Sequence, residues 1–178
     1  MKLKIGVVFL VLAGAFIFFT FKGGYLKSEA PVSKGKNTYS SQEIVDRLLG
    51  FDLRDYGGNK LPVDQQRIRS SKKTVIHLWA SWCGPCVGEV PELIEFSKKN
   101  QDVTFIIVSL DDYQEDIEKF MKSFPEFNSQ QYLRVWDRDK QISRYLDADR
   151  LPMSVIIQSN RSEPQLLKAV VDWRRIKI

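Results

Sequence analysis

The sequence predicts an α/β sandwich in which a central sheet of mixed strand direction is flanked by helices. Three observations carry that expectation. Residues 74–80 (TVIHLWA) and 103–110 (VTFIIVSL) are apolar runs without alternation, as strands buried on both faces require. Each is followed by a stretch with helical spacing of its apolar residues. Two more apolar runs, 153–158 (MSVIIQ) and 166–171 (LLKAVV), flank a short polar turn and read as an antiparallel pair. The chain has 178 residues, 43% hydrophobic and 28% charged, enough apolar material for one core and against global disorder.

The N-terminus stands apart. Lys2 and Lys4 precede residues 5–21, a run with no charge and only Thr20 as a polar side chain. At about 17 residues it is at the short limit of a bilayer-spanning helix and longer than most signal-peptide cores. No Ala-x-Ala pattern follows it, so residues 1–21 read as an uncleaved membrane anchor, with a cleaved signal as the alternative. The basic end stays in the cytoplasm in either case, and the remainder crosses. Residues 22–39 are rich in Gly, Ser, Lys and Pro and form a flexible tether, whose reach is roughly 20–25 Å. Residues 40–178 are the folded domain.

Within that domain Ser40 and Glu43 have capping-box spacing, Ile44, Leu48 and Leu49 share a face, and Gly50 can end the helix. Residues 51–53 and 60–63, either side of Tyr56-Gly57-Gly58-Asn59, read as a short hairpin. After the first buried strand, residues 87–99 carry Val90, Leu93, Ile94 and Phe96 at helical spacing. The second buried strand leads to an amphipathic helix over 112–124, a short strand at 133–136 and a short helix at 140–146. The net charge of +5 is scattered, and no basic-and-aromatic pattern for nucleic acid accompanies it.

The chemistry is concentrated at Trp82-Cys83-Gly84-Pro85-Cys86, which holds the only two cysteines of the chain. Two thiols two residues apart form a pair that opens and closes as a disulfide. Cys83 should stand at the N-terminus of the following helix, where unpaired amides and the helix dipole favour a thiolate, making it the attacking nucleophile. Cys86, one turn inside, is the resolving thiol, and Gly84-Pro85 starts the helix. A permanent structural disulfide is the blander reading. Zinc is disfavoured, since two Cys and one His fall short of four ligands.

The run Leu78-Trp79-Ala80-Ser81-Trp82-Cys83-Gly84-Pro85-Cys86 resembles the thioredoxin active-site pattern. With the apolar N-terminus, the segment before the first strand and Glu89-Val90-Pro91 behind the cysteines, the chain is similar to the membrane-anchored TlpA/ResA-like thioredoxins of bacterial envelopes. The resemblance implies a thioredoxin-like fold, no cofactor beyond the redox-active Cys83–Cys86 pair, and dithiol–disulfide exchange on an extracytoplasmic protein. It also implies a membrane thiol carrier as electron source, a place on the outer side of the bacterial cell membrane, and a substrate such as the haem-site disulfide of an apocytochrome c. Leu151-Pro152 falls where the family places a cis-proline loop for substrate binding. His77 replaces the buried acid or amide of the family and is expected to relay the Cys86 proton near pH 7, with an ordinary strand histidine as the alternative. Glu89 falls where an acid tunes the cysteine pair, a solvent-facing helix glutamate being the alternative. Pro91 falls at the family's helix kink. The family's glycine near the last strand is missing from Lys168–Asp172, and its C-terminal helix has few residues left to build it. Competing functions are a DsbA-like oxidase or isomerase, and a binding or chaperone module that uses the cis-proline groove without turnover.

Overall fold

The computed structural model describes residues 39–62 and 65–178. The expected anchor, most of the tether and Val63 lie outside them. Among the described residues no helix is long and apolar enough to cross a membrane.

Helix α1 spans Ser41–Leu49 and begins with the capping box: Glu43 N–H donates to Ser40 Oγ at 3.2 Å, and Ser40 N–H donates to Glu43 Oε2 at 2.7 Å. Its buried face, Ile44, Val45, Leu48 and Leu49, lies on the sheet. A short helix α2, Gln65–Arg69, follows; it went unread because Ile68 is its only buried residue. The sheet then builds from β1 (Lys73–Trp79), β2 (Thr104–Ser109), β3 (Tyr132–Trp136), β4 (Met153–Gln158) and β5 (Gln165–Lys168), with spatial order β3-β2-β1-β4-β5. Strands β1, β2 and β3 run parallel, β4 runs antiparallel to β1, and β5 antiparallel to β4. Helices α3 (Gly84–Lys99) and α4 (Gln114–Ser123) connect the parallel strands, and α5 (Gln141–Tyr145) precedes β4. The mixed sheet with flanking helices is therefore as expected.

Alternate residues of each strand feed two cores. Val75, Trp79, Phe105, Ile107 and Ile156 pack beneath α3 and α4, with Phe96, Phe120 and Trp173. Ile76, Leu78, Ile106, Val108, Val155 and Ile157 pack against α1 and α5. Strand β1 is buried on both faces and paired on both edges, so the segment that follows it is carried by the best-supported strand of the sheet.

One expectation is met in reduced form and one is corrected. The hairpin is reduced to a single antiparallel bridge, Arg54 with Lys60. Asp55 Oδ1 instead closes a tight loop by accepting Gly57 N–H and Asn59 N–H, each at 2.9 Å, and Arg54 O accepts from Trp136 N–H at 2.8 Å. The segment pairs with itself through that bridge and two flanking bonds, Asp55 N–H to Asn59 O at 2.9 Å and Leu61 N–H to Leu53 O at 2.8 Å, and also covers the free edge of β3. Gly58 turns with φ +77°, and a Cβ there would stand 3.5 Å from the Trp136 ring. The last strand also ends early, at Lys168 rather than at residue 171. Ala169 adopts φ 140°, which breaks the ladder.

Candidate active site

Strand β1 delivers Trp79-Ala80-Ser81-Trp82 to the C-terminal end of the sheet, and α3 starts there. Cys83 is the N-cap of α3 with extended φ/ψ (−84°, 94°), and Pro85 lies in the first turn, where its missing N–H costs nothing. Cys83 and Cys86 are joined by a disulfide, and Cys86 N–H donates to Cys83 Sγ at 3.2 Å. Cys83 keeps 6% of its surface exposed and Cys86 none, so Cys83 is the cysteine nearer to solvent. Trp82 stands 68% exposed beside it, and Gly84 borders open space.

His77 and Glu89, single candidates in the sequence, meet in the core, Glu89 one turn along α3 from Cys86. Both are buried, with His77 Nε2 3.4 Å from Glu89 Oε1. The other ring nitrogen, Nδ1, lies 2.9 Å from Ser154 Oγ, directly across the β1–β4 ladder. Glu89 Oε2 accepts the Val171 N–H at 2.8 Å, so the segment after β5 is fastened to α3. Trp173 is fully buried against Phe96 and His77, with ring centroids at 5.1 and 6.0 Å. This segment fills part of the face that the family's C-terminal helix was expected to cover.

Burial sets the protonation of the pair. It pushes Glu89 up from 4.5 to about 7, although the Val171 N–H and the Trp173 indole pull the other way. Glu89 Oε1 and Trp173 Nε1 are nonetheless the two buried side-chain polar atoms among the described residues with no hydrogen bond of normal geometry. Burial also drives His77 down from 6.5 to about 3, so the ring is neutral throughout the neutral range. Burial thus works against His77 taking up a proton near pH 7. The group poised there is Glu89, which is not a solvent-facing helix glutamate.

The Leu151–Pro152 bond is cis. Pro152 is buried and its carbonyl accepts from Ala169 N–H at 3.1 Å, while Leu151 is half-buried. Pro91 lies inside α3, which continues past it to Lys99.

A second polar cluster escaped the sequence reading. Buried Asp111 accepts Ser81 N–H at 3.0 Å, Ser81 Oγ–H at 2.7 Å and Ser109 Oγ–H at 2.8 Å. Trp136 Nε1 donates to Asp111 O at 2.8 Å, and Lys140 Nζ donates to Leu110 O at 2.5 Å. The loop carrying Trp82 and Cys83 is thus bonded to the end of β2. Its only sequence signal is an acid directly after an apolar strand.

A cysteine pair with one member nearer the surface and one sealed, at a helix N-terminus and at the end of the sheet where a cis-proline leads into β4 opposite β1, is fit for thiol–disulfide exchange. Known proteins agree. The family model described as Redoxin matches residues 38–163. The thiol-disulfide oxidoreductase ResA of Bacillus cereus is 26% identical over 164 residues, covering 91% of this chain and 84% of that protein. The mitochondrial thioredoxin-2 of Schizosaccharomyces pombe is 40% identical over 53 residues, 30% of this chain and 40% of that one. Among solved structures, a secreted Mycobacterium tuberculosis disulfide oxidoreductase homologous to DsbE of E. coli superposes with a TM-score of 0.60 at 20% identity, covering 72% of this chain and 92% of that one. StoA of Bacillus subtilis does so with a TM-score of 0.54 at 20% identity, covering 70% and 91%. These two likenesses speak to the fold, which is thioredoxin-like. The chain belongs to the Redoxin family, within which it is a thioredoxin-like thiol–disulfide oxidoreductase similar to ResA.

Proposed function

We propose that the protein is an extracytoplasmic reductase of protein disulfides, with residues 1–21 as membrane anchor, 22–39 as tether and 40–178 as the working domain. The observation that carries the redox reading is the asymmetry of the two sulfurs: Cys83 at the rim, accepting an N–H from Cys86, and Cys86 sealed behind it. The helix N-terminus and the Cys86 N–H both favour negative charge on Cys83 once the pair is reduced. The Cys83 thiolate attacks one sulfur of the substrate disulfide, forming a mixed disulfide and releasing the other substrate sulfur as a thiolate. Cys86 then gives up its proton and attacks Cys83 Sγ, which closes the Cys83–Cys86 bond and expels the second substrate thiolate. Two electrons pass to the substrate, and a membrane thiol carrier returns them by the same exchange in reverse.

Glu89, placed one turn beyond Cys86 with its pKa near neutrality, is assigned the Cys86 proton. His77 is assigned a positioning role, holding the carboxyl from the opposite side as a neutral ring. Leu151 and Pro152 offer the substrate backbone its seat beside Cys83. The apolar N-terminus behind Lys2 and Lys4 supports the location, the Gly-Pro dipeptide between the cysteines supports the reducing direction, and the likeness to ResA supports a client such as an apocytochrome c. The test is a Cys86→Ser variant, which cannot resolve the intermediate and should stall with its client linked to Cys83. A redox titration checks the direction. A midpoint near about −270 mV fits a reductase, whereas one near about −120 mV would make the protein an oxidase.

A further inference from the structure

Tyr113 breaks two local rules at once. It occupies the N-cap of α4 with extended φ/ψ (−123°, 137°), yet makes no side-chain capping hydrogen bond. That position favours Ser, Thr, Asp or Asn, whose oxygens satisfy the first free N–H groups of a helix. Its ring is also 68% exposed, a large apolar surface in water. Neither helix start nor core gains from a tyrosine there. A residue that serves neither local structure nor packing points to a contact made outside the domain.

Its place in the fold says which contact. Strands β1 and β2 are parallel neighbours in the register Trp79 with Ser109, so residues 80–82 and 110–113 leave the same end of the sheet side by side. Leu110 N–H donates to Trp79 O at 2.8 Å, and Ser81 N–H donates to Asp111 at 3.0 Å. Trp82 directly follows the first bonded residue, and Tyr113 comes two residues after the second, a span of at most about 7 Å. Lys140 Nζ holds this second loop still, through Leu110 O at 2.5 Å and Asp112 Oδ1 at 2.9 Å. Among the described residues, the exposed large hydrophobics are Trp82, Tyr113 and Val170. Val170 follows Ala169, whose N–H is bonded to Pro152 O. Trp82, which directly precedes the recessed Cys83, and Tyr113 thus lie on neighbouring, mutually bonded loops at one end of the sheet. Tyr and Trp are the side chains that give most contact for least lost freedom.

We propose that Tyr113 is a specificity-determining residue: with Trp82 it forms an aromatic rim that receives an apolar or aromatic side chain next to the cysteine of a polypeptide substrate. The proposal rests on the redox reading above and names the substrate class, which is a polypeptide disulfide with an apolar neighbour rather than a small thiol metabolite. Cys83 is only 6% exposed, so a flanking chain that lies down on this rim adds contact beside the attacked sulfur that a small disulfide lacks.

The test uses the full chain in detergent micelles with dithiothreitol as the two-electron donor. Two synthetic peptides with the same disulfide ring carry either Phe or Ser beside the attacked cysteine, and hydroxyethyl disulfide is the small substrate. The variant Tyr113→Ser supplies a capping hydroxyl to α4, so its thermal midpoint is expected to hold or rise. The expected result is a loss of about tenfold in kcat/KM for the Phe peptide, carried by KM. Turnover of the Ser peptide and of hydroxyethyl disulfide should be unchanged, and Tyr113→Phe should behave as the parent. An unchanged preference for the Phe peptide in Tyr113→Ser overturns the proposal, and so does an equal loss on all three substrates. Failure of the parent chain to reduce hydroxyethyl disulfide would instead remove the redox reading on which the proposal stands.

Discussion

Replacing Glu89 with Gln keeps the size of the side chain and its acceptor for Val171 N–H, and removes only the titration. In the folded parent the carboxyl is lifted to about 7, against 4.5 for an ordinary glutamate. Between those values the folded protein holds a proton that the unfolded chain has released, so stability falls as pH rises through this window and stays low above it. At about 1.4 kcal/mol for each pH unit, the fall amounts to about 3 kcal/mol. His77 works with the opposite sign. Its pKa is lowered from 6.5 to about 3, so between those values the unfolded chain holds a proton that the fold excludes, and stability rises with pH. From about pH 4.5 to 6.5 the two slopes oppose each other and the parent should be nearly flat. The Glu89→Gln variant retains the His77 slope alone. Urea denaturation of the oxidised protein from pH 4 to 8, with the disulfide intact so that no thiol titrates, reads both curves. Relative to the parent, the variant should gain about 3 kcal/mol between pH 4.5 and pH 7.5. Parallel curves would refute the claim that burial, rather than a compensating partner, governs this carboxyl.

Two further substitutions test features the redox chemistry leans on. Asp111→Ala strips three donors, Ser81 N–H and the hydroxyls of Ser81 and Ser109, of their buried acceptor. It should cost about 2–4 kcal/mol in denaturant unfolding and loosen the loop before Cys83, which hydrogen exchange at Ser81 and Trp82 would register. Ala169→Gly relieves a side chain held at φ 140°. With about 1–3 kcal/mol of strain removed, and about 0.5–1 kcal/mol lost to glycine's freedom in the unfolded chain, the thermal midpoint should rise by a few degrees.

The fold was legible where one physical signal dominated. The unbroken apolar runs of β1 and β2 left no other element to choose, and Ser40 with Glu43 announced the start of α1 by chemistry that the structure repeats atom for atom. The turn residues around Tyr56, flanked by apolar ones, describe a short hairpin, but no local pattern says that the same segment also covers an edge of the sheet. Only the position of Trp136, far along the chain, decides that. The same holds for the site. Cys83 and Cys86 were visible by spacing, and Pro152, His77 and Glu89 through the resemblance that spacing supports, but that His77 and Glu89 face one another depends on the register of α3 over β1, which no local pattern carries. Asp111 and Trp173 went unread as site residues because their importance lies wholly in distant partners: Ser81 and Ser109 for the acid, and Phe96 and His77 for the indole.

Strand β1 occupies the middle of five, with β3 and β5 at the rims of the sheet. Loosening therefore begins at the periphery, at β3 or at β5 and its turn, two strands away from the sulfurs. Change on those margins is tolerated short of Trp136 and Val171, whose bonds to Asp111 and Glu89 carry the edges back to the site. The fold is built to evolve from the outside inward.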